Sequence, residues 1–352
     1  MLRRMSAPNH NIEIVGGGLA GLSLGLALRR SGVPVTVYEA GDYPRHRVCG
    51  EFIVGLDDAT IGRLELAPLL ADARRHRSVA WFDRGSFVRD QTLPAPALGL
   101  SRHVLDARLA AAFVAAGGDL RTKSRVDCAK APPGRVFTSG RRRGGAGLLG
   151  LKVHVRGLAL ARDLEFHLGA GAYVGLSGVE NGAVNFCGLF RHRTGLAPTD
   201  SRERQPTSVL FAYLAAAGLD ALGSRLRGAE IEAESFCAIA AVDFVGAAVP
   251  SGRVRLGDAY AMIPPFTGNG MAMAFQSAHL ALDPLLAYSH LERSWSEAVQ
   301  LVAERLHRRF RLRLGCANAL QPFLFEPRRQ RWLISAQRAG VLPLRPLYRL
   351  TH

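Results

Sequence analysis

The glycines near the N-terminus constrain the fold of this chain more than any other feature. Residues 11–40 read NIEIVGGGLAGLSLGLALRRSGVPVTVYEA. Ile12, Ile14 and Val15 predict a short buried strand, Leu19 to Arg30 a Leu- and Ala-rich helix closed by Gly32, and Val35, Val37 and Tyr38 a second strand. Between strand and helix stands Gly16-x-Gly18-x-x-Gly21. Gly16 permits the tight turn, Gly18 lets the backbone approach a pyrophosphate, and Gly21 lets the helix pack on the strand. The first helical turn, with Leu19 and Ala20, offers free N–H groups to the anion. Glu39, 21 residues after Gly18, closes the second strand, where a carboxylate accepts from ribose hydroxyls. A nucleotide-binding βαβ unit is expected, against the alternative of a Gly-rich turn without a ligand. The same spacing in Gly145-Ala146-Gly147-Leu148-Leu149-Gly150 precedes an alternating strand rather than a helix and reads as a loop.

The chain has 352 residues, enough for two domains or one large α/β unit with an insertion. Hydrophobic residues at 48% and charged ones at 21% exclude disordered and fibrous classes. Net charge is +16, and only Lys123, Lys130 and Lys152 are lysines, so 42 of the 45 basic residues are arginine. Such a balance suits nucleic acid, membrane or acidic ligands, and arginine bias from base composition explains it equally. Residues 291–352 hold 12 Arg and 4 Glu, half of the excess. Five cysteines without a C-x-x-C pair indicate neither a disulfide framework nor zinc, and a reducing, cytoplasmic setting is expected. Arg3 and Arg4 before an apolar run imitate a signal peptide, but glycines break the run. The uncharged stretch 259–282 contains Pro264, Pro265, Gly268, Asn269 and Gly270, so no membrane span is expected.

Further along, a helix is predicted over 106–116 and a strand toward Val126. Alternation in 150–190, with Asn181-Gly182 between Val179 and Val184, predicts an antiparallel sheet with a hairpin. Residues 207–227 read as helical, 234–245 and 253–259 as strands, and 270–340 as a helical tail. The expected fold is α/β, a Rossmann-like three-layer ββα domain with an inserted antiparallel sheet. The nucleotide domain is placed at 1–75, 100–148 and 247–290, the substrate or lid sheet at 76–99 and 149–246, and a basic helical segment at 291–352.

A second motif is Gly257-Asp258 followed by Pro264-Pro265-Phe266-Thr267-Gly268-Asn269-Gly270-Met271. The carboxylate suits a sugar or ribityl hydroxyl, and the glycines expose a second helix N-terminus, which favours negative charge. In a flavoenzyme that charge lies on the N1/C2=O side of the reduced ring.

With both motifs in view, the chain resembles the flavoprotein group of p-hydroxybenzoate hydroxylase-type monooxygenases, geranylgeranyl reductases and flavin-dependent halogenases. The matches are GGGLAG with Glu39, Pro44-Arg45-x-Arg47-Val48-Cys49-Gly50-Glu51, Ser101-Arg102 with Leu105-Asp106, and GDA with PPFTGNGMAMAFQSA. The resemblance implies FAD as cofactor and NAD(P)H as transient hydride donor. It assigns Gly16, Gly18, Leu19, Ala20, Gly21, Glu39 and Val126 to the ADP half, and Arg45, Arg102 and Asp258 to the phosphates or ribityl chain. Cys49 and Gly50, with Gly257, Pro265, Gly268, Asn269, Gly270 and Met271, go near the flavin. The Arg45-x-Arg47-Val48-Cys49-Gly50-Glu51 segment is most similar to the reductase branch, implying reduction of a bulky, largely apolar molecule. Hydroxylation of an aromatic or polyketide-like compound is the alternative. A flavin-containing binding protein with an Arg-rich tail is a third reading, although no nucleic-acid motif supports it.

Two departures matter. Where related hydroxylases carry Asp-Gly, this chain has Ser139-Gly140-Arg141, and the lysine and Trp-x-Trp-x-Ile-Pro motif of halogenases are missing. Catalytic candidates are limited to Cys49, which reads equally as a small buried residue, and His154. Lys152, His154 and Arg156 alternate with Val153 and Val155 on one sheet face, and a solvated polar face is the simpler expectation. Val299, Val302, Leu306 and Phe310 form an amphipathic stripe expected to pack on the nucleotide domain, with peripheral membrane contact as the alternative.

Overall fold

The computed structural model describes residues 10–140, 147–196, 206–240, 244 and 252–351. It opens with the expected βαβ unit: β1 (Ile12–Val15), α1 (Leu19–Arg30) and β2 (Val35–Tyr38), with β1 and β2 parallel. Leu22, Leu24, Leu26 and Leu28 are all fully buried, so α1 is apolar around its circumference and sits between the sheet and other helices. After β3 (Phe52–Ile53) and α2 (Asp58–Arg63) comes a long hairpin of β4 (Arg74–Asp83) and β5 (Ser86–Gly99).

The next helix, α3 (Arg102–Ala115), starts four residues before the predicted Asp106, because Ser101 caps it: its Oγ accepts from Val104 N at 3.1 Å. The strand predicted toward Val126 is only β6 (Asp119–Arg121). The chain turns at Lys123 (φ 51°) to bond back, with Lys123 N on Gly41 O at 2.8 Å and Ser124 N on Glu39 O at 2.9 Å. With β7 (Arg135–Phe137) and β13 (Val254–Arg255), these strands form a five-stranded parallel sheet ordered β13-β7-β1-β2-β6. The strand predicted over 253–259 stops at Arg255, and Gly257 at φ 57° turns it into a 3-10 turn holding Asp258.

The second sheet runs through β8 (Leu148–Arg156), β9 (Leu164–Gly169), β10 (Ala172–Gly178), β11 (Val184–Arg191) and, after α4 (Pro206–Ala216) and α5 (Asp220–Arg227), β12 (Glu230–Ile239). Its order is β12-β8-β11-β10-β9-β4-β5-β3, antiparallel except where β4 meets β9. Asn181 and Gly182 turn the β10–β11 hairpin at φ 55° and 75°, in a 3-10 turn over Glu180–Gly182. Leu148 to Gly150, read as loop, belong to β8, while Gly145 and Ala146 lie outside the described residues. One face of this sheet buries Leu151, Val153, Val155, Val174, Leu176 and Phe186 against Leu210, Leu214, Leu222 and Leu226 of α4 and α5. The other face turns toward the nucleotide-binding part.

The C-terminal helices are α6 (Gly270–Ser289), α7 (Trp295–Leu320), α8 (Pro322–Phe325), α9 (Pro327–Ala339) and α10 (Leu344–Thr351). Val299, Val302, Leu306 and Phe310 are buried in the core shared by α1, α3 and α6, which bears out the packing expected of that stripe. Among the described residues no helix is long and apolar enough to cross a membrane.

Candidate cofactor and substrate site

The turn after β1 has little freedom at Gly16. Its φ is +115°, and a Cβ there would lie 2.5 Å from the backbone of Thr138. Gly18 is the opposite case, since a Cβ would meet only Arg102 Nη2, at 3.8 Å. No side chain caps α1 and no acid stands in its first turn, so no side chain satisfies its leading N–H groups. Glu39 is buried at the end of β2, where Oε2 accepts from Gly17 N at 2.9 Å and Oε1 from Gly41 N at 2.9 Å and Arg45 Nη2 at 2.6 Å. A carboxylate has about four lone-pair directions, so Oε2 keeps one for a hydroxyl. Tyr43 Oη donates to Gly17 O and holds the loop from outside.

Next to this turn three arginines gather on two acids. Arg102 grips the fully buried Asp106 with Nε and Nη2, both at 2.8 Å, and Arg47 Nε reaches the same carboxylate at 3.0 Å. Burial works against the charge on Arg102, but Asp106 outweighs it and raises the guanidinium above its ordinary value. Arg47 is lowered, by burial first and then by Arg102. Arg45 Nε and Arg47 Nη2 are buried without a hydrogen-bond partner. Buried guanidinium donors are almost always satisfied in a complete site, so these two fit an anion that is part of the working protein.

The second motif closes the same space. A Cβ on Gly257 would lie 3.2 Å from Ala20 Cβ, so the two glycine motifs meet although far apart in sequence. Gly257 N donates to Ser277 Oγ at 2.9 Å, and the exposed Asp258 is close enough to Arg102 to act on its charge. Gly268 (φ 71°) turns against Phe52 and Val54, and Met271 is buried at the start of α6. Asn269 is fully buried, donates from Nδ2 to Thr351 O, and leaves Oδ1 without a partner. No side chain caps α6, and nothing lies within 4 Å of a Cβ built on Gly270. A second helix N-terminus is thus open beside the first.

The face carrying Lys152 and His154 is not solvated, which corrects the simpler sequence expectation: Lys152 is 0% and His154 4% exposed. The reason is the segment 45–51, which lies across it. Asn185 Nδ2 donates to Cys49 O at 3.0 Å, Ser177 Oγ to Gly50 O at 2.8 Å, and Gly150 sits against Val48. Glu51, fully buried at φ 55°, accepts from Arg102 N at 3.0 Å, shares a 2.6 Å hydrogen bond with His154 Nε2, and stands 3.7 Å from Lys152 Nζ. Lys152 Nζ donates to His46 Nδ1 at 2.9 Å. Burial and the neighbouring Lys152 push His46 down to about 3, so its ring is neutral and accepts. His154 Nδ1 faces Glu232 at 3.7 Å, which links the buried group to the sheet edge. Cys49 is raised by burial, so it is held as the thiol and is a poor nucleophile.

Trp81, Phe166, Tyr173, Leu189, Ile239, Met262 and Phe266 belong to an apolar cluster that the sheet shares with Leu324, Phe325, Leu333 and Ile334 of α8 and α9, with Tyr173 packed on Phe325. Tyr173 Oη is buried against the Phe266 amide, and Trp81 Nε1 is buried without a hydrogen bond. Aromatic walls with a few unmatched polar groups are what small-molecule sites present.

The structure therefore brings together Gly16, Gly18, Leu19, Ala20, Gly21, Glu39, Arg45 and Arg102 with Gly257, Asp258, Pro265, Gly268, Asn269, Gly270 and Met271, and lays Cys49, Gly50 and His154 beside them. Val126 is half-buried outside any strand, two residues beyond the Ser124 amide that bonds Glu39 O. Ser139 touches the Gly16 turn, and Arg141 lies outside the described residues. Sequence reasoning did not single out the work of Arg47, Asp106, Glu51, His46 or Lys152. The available signal was Arg45-x-Arg47, whose two-residue spacing puts both side chains on one side of an extended segment.

Residues 14–48 match the family model of the NAD(P)-binding Rossmann-like domain. No curated protein matches the sequence. Among solved structures, Klebsiella pneumoniae HpxO complexed with FAD and uric acid is similar at 18% identity and a TM-score of 0.75, over 99% of this chain and 98% of that one. The p-nitrophenol 4-monooxygenase PnpA from Pseudomonas putida DLL-E4 is similar at 14% identity and a TM-score of 0.71, over 97% and 99%. Pseudomonas aeruginosa PqsL in complex with 2-aminobenzoylacetate is similar at 16% identity and a TM-score of 0.66, over 94% and 99%. The chain shares the fold of these three structures.

Proposed function

We infer that the chain is an FAD-dependent oxidoreductase of the monooxygenase kind, acting on an aromatic or similarly planar small molecule. The observation that carries this is the meeting of two uncapped helix N-termini, α1 and α6, beside an arginine cluster in which Arg45 Nε is buried without a hydrogen bond and Arg47 Nη2 has only a 3.6 Å ion pair with Glu39 Oε2. Gly18 to Gly21, Arg45, Arg47 and Arg102 would hold the pyrophosphate, Glu39 the adenosine ribose, Asp258 the ribityl chain, and residues 264–271 the ring. Bound FAD, reduced by NAD(P)H, would supply the redox chemistry and the activation of oxygen. The chain's own residues do the rest. The cluster around Trp81, Phe166, Tyr173 and Phe266 excludes water and orients the substrate, and the Glu51–His154 pair, tied to Lys152 and His46, holds a proton at the edge of that space.

The emphasis moves from reduction to hydroxylation. HpxO was seen with uric acid, PnpA is a p-nitrophenol 4-monooxygenase and PqsL was seen with 2-aminobenzoylacetate. Cys49, the residue that favoured the reductase branch, is half-buried and held as a thiol. The test is turnover of a panel of phenols and nitrogen heteroaromatics with NAD(P)H under ¹⁸O₂. Incorporation of label into product is expected, whereas an unlabelled product carrying two added hydrogens, formed equally without oxygen, would return the chain to the reductases.

A further inference from the structure

The helices after residue 300 carry a pattern that the flavin reading does not use. From Arg305 to Thr351 the sequence holds 11 arginines and one acid, Glu326. Arg305, Arg309, Arg329 and Arg338 pair with Asp283, Asp57, Glu326 and Asp83, and Arg313 is buried on Gln276 Oε1 at 2.8 Å. Arg308, Arg311, Arg328, Arg331, Arg345 and Arg349 are exposed and form no ion pair among the described residues.

The large hydrophobic residues left most exposed concentrate in the same stretch: Leu312 at 67%, Trp332 at 59%, Val341 at 69% and Leu350 at 50%. Three of them directly follow an exposed arginine, as Arg311-Leu312, Arg331-Trp332 and Arg349-Leu350, and each pair has another exposed arginine about one turn earlier, at Arg308, Arg328 and Arg345. The pattern thus recurs on α7, α9 and α10. These helices are joined by packing of α7 on α8 and α10, and of α8 on α9. Their inward faces are committed to the core through Val302, Leu306, Phe310, Leu333 and Ile334, so the outward stripes are free to serve a partner.

We propose that the outward faces of α7, α9 and α10 dock on an anionic lipid membrane. Arginine suits a lipid headgroup layer because its apolar stem lies along the acyl boundary while the guanidinium pairs with phosphate. Tryptophan belongs at the same depth, and Leu312, Val341 and Leu350 enter the apolar edge. Nucleic acid would satisfy the arginines but gives those aliphatic side chains no apolar phase, so a bilayer is the partner that uses both halves of the pattern. The binding is peripheral, and it stands independently of the flavin reading.

The test is flotation of the purified full chain with phosphatidylcholine vesicles, with and without phosphatidylserine, together with tryptophan emission. Binding is expected only to the serine-lipid vesicles, with a blue shift that Trp332→Phe abolishes. A Leu312→Ser, Trp332→Ser double variant and an Arg308→Gln, Arg311→Gln, Arg328→Gln, Arg331→Gln variant should each lose about tenfold in partitioning, with far-ultraviolet circular dichroism unchanged. Absence of flotation, or no blue shift on the serine-lipid vesicles, overturns the proposal. So does a serine variant that binds like the wild type, or tighter binding to a single-stranded oligonucleotide that the serine substitutions leave untouched.

Discussion

At the scale of single residues, two glycines of one motif have different tasks and can be separated. A methyl group on Gly16 collides with the Thr138 backbone, so Gly16→Ala should lower the thermal midpoint of the chain whether or not FAD is present. A methyl group on Gly18 meets only Arg102 Nη2, at 3.8 Å, so Gly18→Ala should fold like the wild type and yet bind FAD about tenfold more weakly, because it fills the path of the pyrophosphate. Fluorescence titration with FAD beside a melting curve distinguishes the two. In the same way His154→Gln, which replaces the ring bonded to Glu51 Oε2, should leave FAD affinity and the melting midpoint unchanged and lower hydroxylation about a hundredfold. A matching fall in the melting midpoint would make His154 a packing residue. The turn at Gly16 and the carboxylate of Glu39 after β2 are legible from local backbone geometry, whereas Arg102 is reached only through the resemblance. The Lys152–His154 face was misread because alternation marks a face without saying what covers it, and its cover, the segment 45–51, comes from a part of the chain about one hundred residues away.

At the scale of elements, helix ends hold the two halves together. Ser101 caps α3 through Val104 N, and its own N–H and hydroxyl both reach Glu180 in the β10–β11 turn. Ser101→Ala should therefore cost about 1–2 kcal/mol, read as a lower urea midpoint, the upper end reflecting loss of both cap and cross-link. A cost of only about 0.3 kcal/mol would show that neither the cap nor the Glu180 contact contributes. The helix is legible from the apolar spacing of Leu109, Phe113 and Val114, whereas its start is set by the Ser101 cap, which that spacing does not mark. Strand ends were less legible still: β6 and β13 stop where Lys123 and Gly257 take positive φ, a choice set by tertiary bonds rather than by propensity.

At the scale of the whole molecule, the buried titratable groups make the fold sensitive to acid. His46 is held near 3 by burial and Lys152, below its ordinary 6.5, so the unfolded chain binds the extra proton first. That contribution is complete above 6.5 and is lost as pH falls toward 3. Glu165 is held at about 2, since the hydrogen bonds from His167 and Arg225 outweigh the burial that opposes its charge. Its contribution is complete above its ordinary 4.5 and is lost as pH falls toward 2. Urea midpoints across pH should decline from about 6.5 downward, with His46→Gln flattening the upper part of the decline and Glu165→Gln the lower. Unaltered slopes in both variants would remove these groups from the account.

The central claim is that the joined glycine motifs and the arginine cluster bind FAD. It is tested most directly by supplying FAD to the purified chain, removing the excess, and reading the flavin absorbance against protein concentration. One bound FAD per chain is predicted, with Gly18→Ala and an Arg45→Gln, Arg47→Gln double variant losing it on the same column. A wild-type chain that folds but retains no flavin, and shows none of the fluorescence quenching or thermal stabilisation that binding produces, would contradict the account.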